Sequence, residues 1–177
     1  MDWSKTKPEV VSRVVTEGET YLQGQLTLAT SSDQRASMLA GVFTAAGTAL
    51  LVGLITLAAT KDISLTIKYP AYLGGGVAAV LFILAAAFCI RATFPVQFWL
   101  PGNQPHSWYG DVEAGRELTA ALSEEAEHIQ SKIAENRTVL QTNATRFKWG
   151  AALGIAAPLI GTALWLISSS SLWVAAG

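Results

Sequence analysis

Charge is what this chain lacks over its longest stretches. No Asp, Glu, Lys or Arg occurs at 36–60, 69–90 or 149–177, runs of 25, 22 and 29 residues. Cysteine is almost missing as well. Cys89 stands alone inside the second uncharged run, so no intrachain disulfide is possible, and a small apolar core residue is the expected role. The only histidines, His106 and His128, lie far apart with no cysteine or carboxylate at ligand spacing, which leaves no metal site to expect. Gly74-Gly75-Gly76 lacks the Lys and Ser or Thr of a phosphate loop, and no Ser, His and Asp arrangement marks a nucleophile. The chain is therefore expected to be no enzyme and to need no cofactor.

The uncharged runs themselves are the positive signal. A hydrocarbon core of about 30 Å needs about 20 apolar helical residues, and each run exceeds that length. The expected fold is an all-α membrane protein with three transmembrane helices per protomer. The expected organisation is an N-terminal amphipathic helix over 1–37, spans at 38–60, 72–91 and 149–168, an external loop at 61–71, an interfacial loop at 92–110, a stalk helix at 111–148 and a tail at 169–177. Polar residues at the N-terminus show no cleavable signal peptide pattern, so the first span is expected to serve as an uncleaved insertion signal. Of the 12 Lys and Arg residues, only Lys61 and Lys68 fall on the far side of this layout. The positive-inside rule then places the N-terminus in the cytoplasm of a cell inner membrane and the C-terminus outside.

Two amphipathic patterns sit on the cytoplasmic side. Val11, Val15, Gly18, Leu22, Leu26 and Ala29 recur at helical steps, and Thr6 with Glu9 has capping-box spacing. No Pro or Gly pair separates this segment from the first span, so one helix is expected from Glu9 to Ala59. In the external loop, Ile63 to Ile67 alternates as an extended piece would. The loop from Phe94 to Gly110 holds three prolines and two glycines, and its aromatics suit a collar at headgroup level. Asp111 is expected to cap a long helix with Glu113 and Glu117 in its first turn. That helix carries the seam Leu118, Leu122, Ala126, Ile129, Ile133, Asn136, Leu140, Ala144 and Phe147, close to a heptad repeat. From Val112 to Ile167 it would reach ~84 Å, of which a bilayer uses about 30 Å; the rest is expected to project as a stalk. Pairing the two cytoplasmic helices buries both stripes, and several protomers, four by preference, are expected to pack their stalks together.

In the first span Gly41, Ala45, Ala49 and Gly53 follow at four-residue steps, with Thr44 and Thr48 on the adjacent face. Such small residues suit tight helix packing. They equally suit a pore lined by small hydroxylated side chains, and spacing does not separate the two. Ser32, Asp33 and Arg35 stand at the mouth of this span; repeated around a ring they would form a vestibule selecting ions. The plainer alternative is an ion pair from Asp33 to Arg91, Arg146 or Lys148. Arg116, Lys132 and Arg137 on the stalk are candidates for an anionic ligand. Against that, Lys132 can pair with Glu135 or His128, which leaves Arg137 without a local partner. Glu124, Glu125, Glu127 and Glu135 read as a solvated helix face.

The segment Ser32 to Gly41, entering an Ala- and Gly-rich span, together with the loop Pro101 to Trp108, the acidic helix after it and the final span, resembles the transmembrane effectors of nucleotide-signalling anti-phage systems. These include the SLATT and Pycsar membrane effectors and, by the three-span layout with a helical stalk, the Hailong effector. Asp33 falls where Pycsar-type effectors carry an Asp before the first span; the third span departs from a two-span plan. The resemblance implies a homo-oligomer that disrupts the lipid bilayer when its nucleotide signal changes. In the Hailong case it implies a channel held shut by a DNA-like oligonucleotide that a partner nucleotidyltransferase makes. The leading expectation is a nucleotide-gated channel; the alternative is a non-conducting membrane anchor or scaffold that recruits a partner through its stalk.

Overall fold

A computed structural model describes Trp3 and residues 5–176, with side chains through Ser170. The chain forms α1 (Pro8–Ala59), α2 (Leu65–Ala92), a 3-10 turn (Pro105–Trp108), α3 (Tyr109–Glu113) and α4 (Leu118–Ala176), with no strand among the described residues. Three of these helices, α1, α2 and α4, are long and apolar enough to cross a membrane. The chain divides into two compact units, each built from parts of α1 and α4: one comprises 1–32 and 95–142, the other 33–94 and 143–177.

Several local expectations change. The first α1 hydrogen bonds run to the carbonyl of Lys7, so Lys7 rather than Thr6 caps the helix and Pro8 takes the first helical position, where its missing N–H costs nothing. The extended piece at Ile63 to Ile67 does not form. Leu65 already belongs to α2, and Pro70 sits inside its second turn, where its missing N–H deprives the carbonyl of Thr66 of its usual i+4 donor. The long helix does not start at Asp111. Gly115 adopts φ +59, a left-handed conformation that glycine tolerates, and this turn ends α3 before α4 begins at Leu118. The tail at 169–177 is no separate segment, since α4 continues to Ala176.

In the first unit, the N-terminal stripe of α1 packs on α4. Val11 and Leu22 are fully buried, and Ile129 on α4 is buried with them. Gly18 makes the approach possible, because a Cβ there would lie 2.6 Å from Ile129 Cγ2. Gln25 Nε2 donates to the carbonyl of Ile133 at 3.2 Å. The extended segment from Pro95 to Pro101 is tied to the same helix: Asn136 is completely buried and bonds both backbone groups of Trp99. Asn136 therefore occupies its seam position as the anchor of a loop, not as a coiled-coil core residue.

In the second unit the spans pack through small residues. Ala40, Phe43, Ala85, Ala86 and Cys89 form its core, and Cys89 is fully buried, as a small apolar residue should be. The Phe43 ring lies against Gly154, where any Cβ would overlap it, and a Cβ at Gly150 would lie 2.6 Å from Cys89 Sγ. Lys68 is buried and its Nζ donates to the carbonyl of Thr60, so a cation satisfies the exposed carbonyl end of α1.

Candidate functional site

The first unit contains a polar cavity of about 240 Å3 lined by Asn103, Ser107, Trp108, Asp111, Ala121, Glu124, Glu125, His128 and Lys132. One wall is a single face of α4, since 121, 124/125, 128 and 132 fall at three- and four-residue steps. The other wall is the Pro/Gly-rich segment, turned by Gly102 at φ +81 and then by the 3-10 turn. His106 stacks edge-on against Tyr109 at a centroid distance of 5.1 Å and stiffens that turn.

Two charge clusters dress the cavity. Lys132 Nζ donates to Asn103 Oδ1 at 2.9 Å and faces Glu125 Oε1 at 3.5 Å, while Asn103 Nδ2 donates to the other Glu125 oxygen. Glu125 is buried and Lys132 half-buried, so this triad is shielded from bulk water. Arg116 stands on the link between α3 and α4 and pairs with Asp111 at 2.7 Å and Glu124 at 2.8 Å. The hydrogen bond that Arg116 donates to Asp111, then that to Glu124, pushes its guanidinium further up its already high range. Three carboxylates against Lys132 and Arg116 leave the cavity slightly acidic, with both cations already engaged.

Of the three stalk cations expected from sequence, two meet here. Lys132 lines the cavity and Arg116 binds two of its lining carboxylates. The expected partners of Lys132 are wrong: Glu135 instead accepts from Trp99 Nε1, and Asn103 arrives from a distant loop. Arg137 is exposed, outside the cavity, and without an ionic partner among the described residues. Glu125 is buried cavity wall, whereas Glu124 stays exposed at the cavity rim and Glu127 and Glu135 are exposed as expected, and Trp108 lines the same space instead of serving as a collar. The helical spacing of 121, 124/125, 128 and 132 was visible; the loop that closes over it was not.

The vestibule residues are placed separately. Ser32 is half-buried and closes the first unit; Asp33 opens the second. The Asp33 carboxylate makes no ion pair among the described residues, and burial raises its pKa above the usual carboxylate range. The expected pair with Arg91, Arg146 or Lys148 is absent, because Arg146 donates to the carbonyl of Arg91 and to Asn143 Oδ1. Arg35 is exposed and holds a polar contact of its own. Thr44 and Thr48 are exposed, as are Gly41, Ala45, Ala49 and Gly53; nothing lies within 4 Å of a Cβ added at Gly41 or Gly53. Gly41, Thr44, Ala45 and Thr48 are thus left uncovered, whereas Ala49 and Gly53 line an apolar cleft of the second unit and Gly150 and Gly154 are fully used.

The second unit has its own cleft of about 610 Å3, lined by residues such as Leu50, Leu54, Gly74, Phe82, Pro158, Thr162 and Trp165. Its lining is almost wholly apolar and offers no group for chemistry. No group of three or more His, Cys, Asp or Glu side chains able to hold a metal occurs among the described residues.

No curated protein and no solved structure matches the chain. The model of the Pycsar effector protein domain matches residues 20–173, a span that takes in all of α2, most of α1 and α4, and every residue of the polar cavity. The chain therefore belongs to the Pycsar effector family, membrane effectors of anti-phage defence whose signal is a cyclic nucleotide from a partner cyclase.

Proposed function

We propose that this protein is a homo-oligomeric, non-enzymatic channel of the inner membrane, with its N-terminus in the cytoplasm, and that a cyclic nucleotide bound in the polar cavity opens it. The observation that carries this reading is the cavity's mixed chemistry. Trp108 offers a face on which a base stacks, Glu124 and Glu125 accept from base N–H groups, and Arg116 and Lys132 supply charge for the cyclic phosphate. Both cations are held by carboxylates in the empty protein, so the phosphate must take them over. A ligand shifts an equilibrium only by its difference in affinity between two arrangements. Here the difference lies in Arg116, which stands at the non-helical link before α4: released from Asp111 and Glu124, it frees that link to move.

The cyclic nucleotide that the family implies suits a 240 Å3 cavity better than the DNA-like oligonucleotide of the sequence resemblance. The exposed Thr44 and Thr48 face of α1 is the candidate pore lining once copies assemble, and an apolar constriction there would open by wetting.

The test is dye release from liposomes carrying the purified protein, with each of the four standard 3′,5′-cyclic mononucleotides added in turn. Release on addition of one of them, with a half-effective concentration raised about fivefold or more in a Trp108→Ala variant, supports the reading, since one stacked base contributes about 1–3 kcal/mol. Saturable binding without release would instead favour the non-conducting anchor.

A further inference from the structure

Beyond the stripe that α1 packs on α4, this helix carries a second one that its own protomer leaves open. Val10, Val14, Glu17, Tyr21, Gly24 and Leu28 follow at steps of 4, 3, 4, 3 and 4, a heptad seam. Val10, Tyr21 and Leu28 are each 50% exposed, Val14 is 39% exposed, and a Cβ added at Gly24 would touch nothing. The one charged position, Glu17, is already neutralised by Arg13 of the same helix at 2.9 Å. Lipid does not explain this exposure, because the seam belongs to the polar unit and lies outside the uncharged run that begins at 36.

We infer that this seam is the contact between α1 helices of neighbouring copies, packed parallel and in register. Three observations select a second copy as the occupant. First, apolar residues at a 3.5-residue period are complementary to another helix with the same period, and to little else. Second, every copy inserts with one orientation, so identical seams meet parallel, as a closed rotational assembly requires. Third, the seam carries no uncompensated charge that would repel its own copy, because Glu17 is paired with Arg13 of the same helix.

The inference rests on the homo-oligomeric reading above, and its test separates the two. Single cysteines are placed on the seam (Tyr21→Cys, Leu28→Cys) and on exposed positions off it (Thr16→Cys, Gln23→Cys), and native membranes are treated with a short bismaleimide. The buried Cys89 of the parent chain supplies the blank. Cross-linked dimer is expected from the seam positions at about tenfold or more over the off-seam positions, as a knobs-into-holes contact dictates. In parallel, the mass of the parent protein in nanodiscs is measured. Equal cross-linking at both sets in a multi-protomer particle overturns the seam and leaves the oligomer standing; a single-protomer particle overturns both. A Val14→Lys, Leu28→Lys variant provides an independent check. Both side chains are exposed, so helicity should be unchanged while the multi-protomer species falls to single protomers; retention of full assembly overturns the proposal.

Discussion

Asn136 holds Trp99 by both of its backbone groups, accepting from the N–H at 2.9 Å and donating to the carbonyl at 2.9 Å. A side-chain amide thereby stands in for a neighbouring strand, and it does so with no exposure to water. Asn136→Leu removes both bonds and leaves a buried donor and acceptor unpaired. Each such group costs about 1–3 kcal/mol. The expected result is a fall of several degrees in the melting temperature in detergent, with increased proteolysis between Phe94 and Trp108. An unchanged melting temperature would show that the segment is held by other means.

The packing of Phe43 on Gly154 makes a paired prediction. Gly154→Ala places a methyl group inside the ring, and overpacking of this kind costs about 1–3 kcal/mol. Phe43→Leu removes the obstacle. The double variant should therefore be more stable than the sum of the single effects predicts, by about 0.5–3 kcal/mol of coupling. Additive effects in a thermal-shift cycle would mean that the two residues do not touch.

How much of this was legible in sequence differs by kind of signal. The three membrane helices announce themselves as gaps in charge, because lipid imposes the constraint over about 20 residues at once. The α1–α4 pairing was legible for the same reason, through period. The break at Gly115 was not: Asp111 with Glu113 and Glu117 reads as a helix start, and one glycine in a left-handed turn overrides it. Nor was the cavity, since Glu125 looks solvated until Asn103 is brought back across 22 residues of chain to bond it. Asn136 shows the limit most plainly. Its place in the heptad was read correctly, but what fills that place is a loop 37 residues away.

Asp33 gives a pH dependence whose sign is fixed. Burial favours the protonated acid, so its pKa is raised in the folded protein. A raised value means that the folded state holds this proton more tightly than the unfolded chain does. The resulting stability is fully present below the ordinary carboxylate range and is lost as pH rises through the raised value. Asp33→Asn mimics the protonated form. It should melt higher than the parent at neutral pH, and the difference should vanish in acid below the carboxylate range. A difference that persists unchanged in acid would assign the effect to something other than this proton.

The last prediction separates the two arginines that sequence alone placed together. Arg116 is tied to two cavity carboxylates, whereas Arg137 is exposed outside the cavity. Exposed ion pairs each contribute about 0.2–1 kcal/mol, so Arg116→Ala should cost the fold little. Its effect on the nucleotide response should be much larger, because a charged group meeting a phosphate contributes about 1.5–3 kcal/mol, or tenfold and more in half-effective concentration in the liposome assay. Arg137→Ala should leave that concentration within about twofold, less than 0.5 kcal/mol on the scale where 1.4 kcal/mol is tenfold. Glu125→Gln supplies the internal control: it removes the carboxylate that competes for Lys132 while keeping a hydrogen-bond acceptor beside Asn103 and Lys132. If the phosphate must win Lys132 from Glu125, this variant should respond at lower nucleotide concentration than the parent. The opposite ranking, with Arg137→Ala silent and Arg116→Ala normal, would move the binding site out of the cavity and onto the open face of α4.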